Sequence, residues 1–246
     1  MRLGGIIDIS TKDIPGRTSM VLFTVGCNFK CEFCHNKYLL HPNVGRDYKI
    51  EELKDQISTN LLVSGVSITG GEPTLQPDLF ELCKEIKKIG KYLSIDTNGS
   101  NPEVIKEIAP FINRVALDLK GPPEQNKLRK IAGVNVNIDK IIETIKLVNS
   151  QRQVDFEIRT TFVGKLLNAD DINDILLFLK NIGFEGNYVL QQYQFFEGVG
   201  EDFKKVFTKP GHDILVDILK KYEHKDLPFK MFLRDDFVGY CSIEEL

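Results

Sequence analysis

Short β-branched and apolar runs alternate with longer stretches of helical period, and that alternation restricts the fold more than any other feature of the chain. Strand-like runs stand at Met20–Val25, Val66–Thr69, Tyr92–Asp96, Arg114–Leu119, Val154–Phe162 and Tyr188–Gln192. Between them lie helix-like stretches around Ile50–Leu61, Pro77–Ile89, Pro102–Ile108, Ile138–Val148 and Asp170–Asn181. Pro77 and Pro102 suit a first helical turn, and Gly90 and Gly183 follow a last one. Repeated βα order argues for a parallel sheet. About six such units fit, short of the eight a closed barrel needs. The expected fold is therefore α/β, a partial (β/α)6 TIM-like barrel with an open side. A doubly wound open sheet is the alternative, because periodicity does not decide closure.

Residues 1–19 read as a short N-terminal hairpin turning at Lys12-Asp13-Ile14-Pro15-Gly16. Residues 20–196 form the partial barrel, and 197–246 a C-terminal extension with a helix at Asp213–Tyr222 and a strand at Phe229–Leu233. One domain over 1–246 is the economical reading, since 246 residues bury an ample core. A hydrophobic content of 42% and a net charge of −3 give no argument for nucleic acid, and no apolar run is long enough for a membrane helix. The N-terminus has no signal-peptide pattern, so a cytoplasmic protein is expected.

Glycine-rich and polar groups gather at the C-terminal ends of the expected strands, the rim where parallel αβ folds place ligands. They are Gly26-Cys27, Gly70-Gly71-Glu72-Pro73, Asp96-Thr97-Asn98-Gly99, Asp118-Leu119-Lys120 and Gln191–Gln194, with Arg159 inside the fifth strand. Three of the five cysteines, Cys27, Cys31 and Cys34, fall within eight residues. Three soft thiolates on one loop suit an iron–sulfur cluster, one iron of which keeps open positions. A zinc site completed by His35 is the other possibility, although adjacent ligands such as Cys34 and His35 chelate one ion poorly. Cys83, in a helical pattern, and Cys241 read as a packed thiol and an incidental surface thiol. The histidines show no metal-ligand spacing, and there is neither a nucleophile elbow nor a Walker-type loop. Lys84-Glu85-Ile86-Lys87-Lys88 reads first as a solvated helix face.

The spacing Cys27-x3-Cys31-x2-Cys34, with Phe33 before the last cysteine, resembles the defining motif of the radical S-adenosylmethionine (SAM) superfamily. Gly70-Gly71-Glu72-Pro73 is similar to that superfamily's methionine-binding motif. Asp13–Gly16, Gly26–Phe29, Cys34–Asn36, Gly70–Thr74, Asp96–Gly99 and Asp118–Lys120 together resemble glycyl-radical enzyme activating enzymes. The resemblance is strongest to the longer form of anaerobic ribonucleoside-triphosphate reductase activating proteins, over roughly residues 4–195.

The resemblance implies one 4Fe–4S cluster on Cys27, Cys31 and Cys34, whose open iron binds the amino and carboxylate groups of SAM. The reduced cluster would pass an electron to the sulfonium, and the 5′-deoxyadenosyl radical so formed would take the Cα hydrogen of a glycine in a partner enzyme. It implies that Phe33 packs near the adenine, that Gly70 and Gly71 admit the methionine moiety, and that Glu72 serves the ammonium directly or by orienting its neighbours. Asp96 would assist at the amino group or hold a small monovalent cation, and Lys120, with Asp118, would face the SAM carboxylate. Arg159 would face the polar barrel mouth or form a structural ion pair. The implied partners are a glycyl-radical enzyme, foremost the large subunit of anaerobic ribonucleotide reductase, and an electron donor such as flavodoxin or ferredoxin; neither nucleic acid nor membrane is implied. Where a relative's sixth strand ends in histidine, this chain has Gln192-Tyr193-Gln194, and no ribose contact is assigned there. A second cysteine group, and so a ferredoxin-like insert, is missing. The rival readings are a radical SAM enzyme acting on a small molecule or RNA, and a metal-binding module without catalysis.

Overall fold

A computed structural model describes residues 1–41, 43–195 and 201–246, with the side chains of 201–203 left aside. The strands are β1 (Arg2–Ile14), β2 (Arg17–Thr24), β3 (Arg46–Asp47), β4 (Gly65–Gly70), β5 (Tyr92–Thr97), β6 (Arg114–Asp118), β7 (Asp155–Phe162), β8 (Asn187–Gln192), β9 (Lys230–Asp235) and β10 (Gly239–Ser242). The helices are α1 (Ile50–Thr59), α2 (Leu79–Lys88), α3 (Pro102–Ile108), α4 (Gln125–Ala132), α5 (Ile138–Asn149), α6 (Ala169–Asn181), α7 (Glu201–Val206) and α8 (His212–Lys220). None of them is long and apolar enough to cross a membrane. Because β-branched runs and helical spacing are local properties, the expected strands and helices lie within two residues of these bounds, except that β2 opens three residues before Met20. Pro102 opens α3 as expected, whereas α2 starts at Leu79 and leaves Pro77 outside its first turn. Gly90 and Gly183 adopt left-handed backbone with φ of 73° and 71° just beyond α2 and α6. The expected boundary at 196–197 falls outside the described residues.

The chain divides into two compact units. The first comprises Met1–Lys30, Asn36–Leu117 and Asp139–Phe156. Its strands run in the order β3-β1-β2-β4-β5-β6, with β1 antiparallel to both neighbours and β2, β4, β5 and β6 mutually parallel. The N-terminal hairpin and the first parallel strand are thus one structure, since β2 is the return strand of β1. Alternate residues of each strand point to opposite faces. On one face Met20, Leu22, Val66, Ile68, Leu93, Ile95, Val115 and Leu117 are buried, as are Leu53 and Ile57 of α1, Leu82 and Ile86 of α2, Ile105 and Ile108 of α3, and Ile141 and Ile145 of α5. Each such side chain contributes about 1.5–3 kcal/mol on full burial. The opposite face carries Ser67, Ser94 and Arg114, aligned in register across β4, β5 and β6.

The second unit comprises Cys31–His35, Asp118–Ile138 and Glu157–Leu246. Its strand order is β7-β8-β9-β10, with the first three parallel and β10 antiparallel. α8 and β9 therefore continue the βα pattern rather than standing apart from it. A capping box starts α6: Asn168 Oδ1 accepts from Asp171 N, and Asp171 Oδ2 accepts from Asn168 N. α4 was not expected; it is short and mostly polar, with only Leu128, Ile131 and Ala132 buried on one side, and its end signal is Gly133 with φ of 69°.

Candidate functional site

In the first unit β2 ends in a left-handed turn at Gly26 and delivers Cys27. Gly71 N donates to Thr24 O and Glu72 N to Gly26 O, both at 2.8 Å. The two backbones lie so close that a Cβ on Gly71 would overlap the Gly26 carbonyl, and one on Gly70 would lie 2.7 Å from Thr24 O. Gly70 also has φ of 110°. Both glycines are thus required by the chain's own β2 end, which fixes where Cys27 begins. Two donors address the Cys27 sulfur, Phe29 N at 3.4 Å and Asn98 Nδ2 at 4.0 Å.

Glu72 is buried, and its carboxylate is occupied from within the unit. Oε1 accepts from Thr74 N at 3.2 Å, Thr74 Oγ1 at 2.5 Å and Thr97 Oγ1 at 2.8 Å, and Oε2 accepts from Asn98 N at 2.7 Å. Burial pushes its pKa up, and these bonds pull against that rise. Of the two roles weighed for Glu72, this geometry favours orienting its neighbours: it ties the turn after β4 to the turn after β5. Asn98 carries the tie onward, its Nδ2 donating to Asn28 Oδ1 at 2.8 Å. Asp96 points to the polar strand face, where Arg114 Nη1 stands 3.8 Å from its Oδ1. Thr74, Thr97 and Asn98 entered the sequence reading only inside motifs, and Arg114 only as a strand start, none with a role of its own. Asp-Thr-Asn-Gly reads as a turn on its own, and only the charge opening the apolar run of β6 hinted at Arg114.

In the second unit Cys31 and Cys34 share a tight turn, with Cys34 N donating to Cys31 O at 3.2 Å. The loop is clasped to the end of β8. Phe33, 6% exposed, packs edge-on against Tyr193 and Phe207, with ring centroids 6.2 and 6.5 Å apart. His35 stacks on Tyr193 at 5.3 Å, and its Nε2 donates to Gln194 O at 2.6 Å. Burial lowers the His35 pKa, so the ring is neutral with its proton on Nε2. Phe33 is thus a loop anchor. Tyr193, read in the sequence only as part of Gln192-Tyr193-Gln194 and given no contact there, is the post it holds.

Asp118 joins two cations in that unit. Its Oδ1 accepts from Arg159 Nε and its Oδ2 from Lys120 Nζ, both at 3.0 Å. Burial alone would raise the Asp118 carboxyl, but Arg159 and Lys120 outweigh it and hold the pKa down at about 2. Burial also opposes the Lys120 ammonium, and Asp118 with the thiols of Cys31 and Cys34 lifts its pKa above the ordinary range. Arg159 is therefore in an ion pair, one of its two expected roles. The trio leaves one net positive charge beside Cys31 and Cys34. Burial pushes the Cys31 thiol up, and Lys120 pulls it back.

Taken unit by unit, the residues suit an anionic iron–sulfur group: N–H donors address the Cys27 sulfur in the first, and the second has two further soft thiols and surplus positive charge. Among the described residues no three His, Cys, Asp or Glu side chains converge as ligands of one metal ion must. A cluster, whose thiolates bind different irons, makes no such demand. Cys83 is fully buried and its thiol is pushed up to about 12, which leaves it inert.

Known proteins bear on this arrangement. The family model described as "Radical SAM superfamily" matches residues 21–179. A Methanocaldococcus jannaschii protein named "Putative glycyl-radical enzyme activating enzyme MJ1227" is 36% identical over 89% of this chain and 92% of its own. The crystal structure of Streptococcus suis SuiB bound to S-adenosylmethionine has a TM-score of 0.62 at 19% identity, covering 87% of this chain. This chain spans only 50% of SuiB. Archaeal TYW1 has a TM-score of 0.60 at 16% identity, covering 92% of this chain and 79% of its own. At those identities the two structures speak for the fold alone, and they bear out the partial barrel.

Proposed function

Because this chain belongs to the radical SAM superfamily, we propose that it is an activating enzyme that places a glycyl radical on a partner enzyme, foremost the large subunit of anaerobic ribonucleotide reductase. The observation that carries the reading is the ion trio of Asp118, Lys120 and Arg159, joined by bonds of 3.0 Å and one positive charge in excess, in the unit that holds Cys31 and Cys34. Superfamily membership makes the protein an oxidoreductase that uses a 4Fe–4S cluster and SAM.

When bound, the cluster and SAM supply a reductive carbon–sulfur cleavage whose product takes a hydrogen atom from the partner's glycine. The chain's own residues do the holding and aiming. Cys27, Cys31 and Cys34 would each hold one iron. Gly70 and Gly71 set the backbone from which Cys27 springs, and Glu72 locks the turns after β4 and β5 at the methionine end. Lys120 would meet the SAM carboxylate, with Asp118 aiming it and Arg159 holding Asp118 ionised. Phe33 and His35, clasped to Tyr193, would keep the loop from moving as SAM binds. Flavodoxin or ferredoxin would deliver the electron, in the cytoplasm.

The test is anaerobic reconstitution, reduction, addition of SAM and the partner subunit, and electron paramagnetic resonance. A glycyl doublet on the partner is expected. SAM cleavage without a doublet on any glycyl-radical enzyme would point to a small molecule or RNA as substrate. A colourless protein that cleaves no SAM would end the enzymatic reading.

A further inference from the structure

Asp96 shares its strand face with Ser94, and its carboxylate is 11% exposed. Across the β5–β6 pairing Ser94 stands opposite Arg114 and Asp96 opposite Ala116. The small side chains of Ser94 and Ala116 leave room for the long one of Arg114 to run along the face. Its Nη1 donates to Ser94 Oγ at 2.7 Å and ends 3.8 Å from Asp96 Oδ1, with the side chain only 5% exposed. Charges buried at that distance are poorly screened, so each acts strongly on the other.

The family resemblance gives Asp96 one of two roles, at the amino group of SAM or beside a small monovalent cation. An ion there would stand within a few ångströms of a guanidinium that cannot deprotonate, and the two would repel. We propose that Arg114 is the resident counter-ion of Asp96, taking the place of an alkali cation, so that this protein holds the Asp96 carboxylate ready for SAM in any salt. Asp118 in the second unit also has cationic neighbours, but there Arg159 and Lys120 both donate hydrogen bonds at 3.0 Å, whereas Arg114 acts on Asp96 Oδ1 across 3.8 Å by charge alone. Arg114 acts through Asp96 and is a positioning residue. The consequence for SAM rests on the function proposed above; the ion-pair claim itself does not.

Two measurements on the full chain test it. Thallium(I), a potassium mimic, is titrated into the protein and followed by its magnetic resonance. The wild type should show no saturable site, and Arg114→Met should gain one. SAM binding to the reconstituted, reduced protein is then measured with potassium or with only tetramethylammonium as the cation. Wild type and Arg114→Lys should bind equally in both. Arg114→Met should bind about tenfold more weakly without potassium, a loss of one decade in Kd, and recover with it. A saturable thallium site in the wild type would overturn the proposal, even if Arg114→Met does not fold. So would an Arg114→Met protein that gains no site and binds SAM like the wild type. A wild type that binds no SAM would sink the proposed function, while the thallium result would still decide the counter-ion.

Discussion

Gly71→Ala is the sharpest perturbation of the site, because the obstacle it meets is backbone and does not swing away. The new Cβ would lie 2.7 Å from the Gly26 carbonyl carbon and closer still to its oxygen, where ordinary contact begins at 3.4 Å. Relief requires the two chains to part by about 1 Å. That parting breaks the bonds from Gly71 N to Thr24 O and from Glu72 N to Gly26 O. A buried backbone group left without a partner costs about 1–3 kcal/mol, so the pair costs about 3 kcal/mol or more. At about 2–4 °C per kcal/mol for a chain of this size, Tm should fall by about 6–12 °C. The displaced residue, Gly26, precedes Cys27, so cluster loading should suffer beyond the loss of stability. The assay pairs thermal unfolding of the apoprotein with iron content and visible absorbance after reconstitution. Gly5→Ala is the control, since a Cβ there meets nothing within 4 Å. A Gly71→Ala protein with unchanged Tm and full iron content would refute the claim that this glycine serves the chain's own packing.

Glu72→Gln puts an amide N–H₂ where a carboxylate oxygen accepts, opposite either Asn98 N or the Thr74 and Thr97 donors. It should cost about 2–3 kcal/mol and abolish the change that SAM makes in the spectrum of the reduced cluster; an unaltered spectral response would count against the tie. Asp118 has a depressed pKa, about 2, so its ion-pair stabilisation is present above the ordinary carboxylate range and is lost as pH falls through 2. In Arg159→Met only Lys120 remains to hold it down, so Asp118 titrates higher and the acid limb of stability moves to higher pH. With Asp118 31% exposed, the neutral-pH loss should be about 1 kcal/mol, or about 2–4 °C in Tm. Melting curves from neutral to acid pH check it, and superimposable acid limbs would contradict it. Phe33→Ala removes the ring that rests on Tyr193 and Phe207. It should destabilise by about 3 kcal/mol and speed loss of iron to a chelator, whereas a chelation rate equal to the wild type's would show that the clasp does not hold the loop.

The order of elements and the position of the chemistry along it were legible in the residues themselves. β-branched runs mark strands wherever they occur. A motif that follows such a run must sit at a strand's C-terminal end, as Gly70–Glu72, Asp96–Asn98 and Asp118–Lys120 do. The spacing of Cys27, Cys31 and Cys34 likewise needed no fold to be read, because three thiols within eight residues are neighbours by chain connectivity. Only tertiary structure decided what each of these groups touches. Glu72 is saturated by donors from Thr97 and Asn98, Asp96 meets a guanidinium from the next strand, and Phe33 leans on Tyr193. Those partners lie 18 to 160 residues apart in the chain. Periodicity reports which way a side chain faces along its own strand. Which side chain it meets depends on how strands align with one another, and that register is set by burial across the whole sheet.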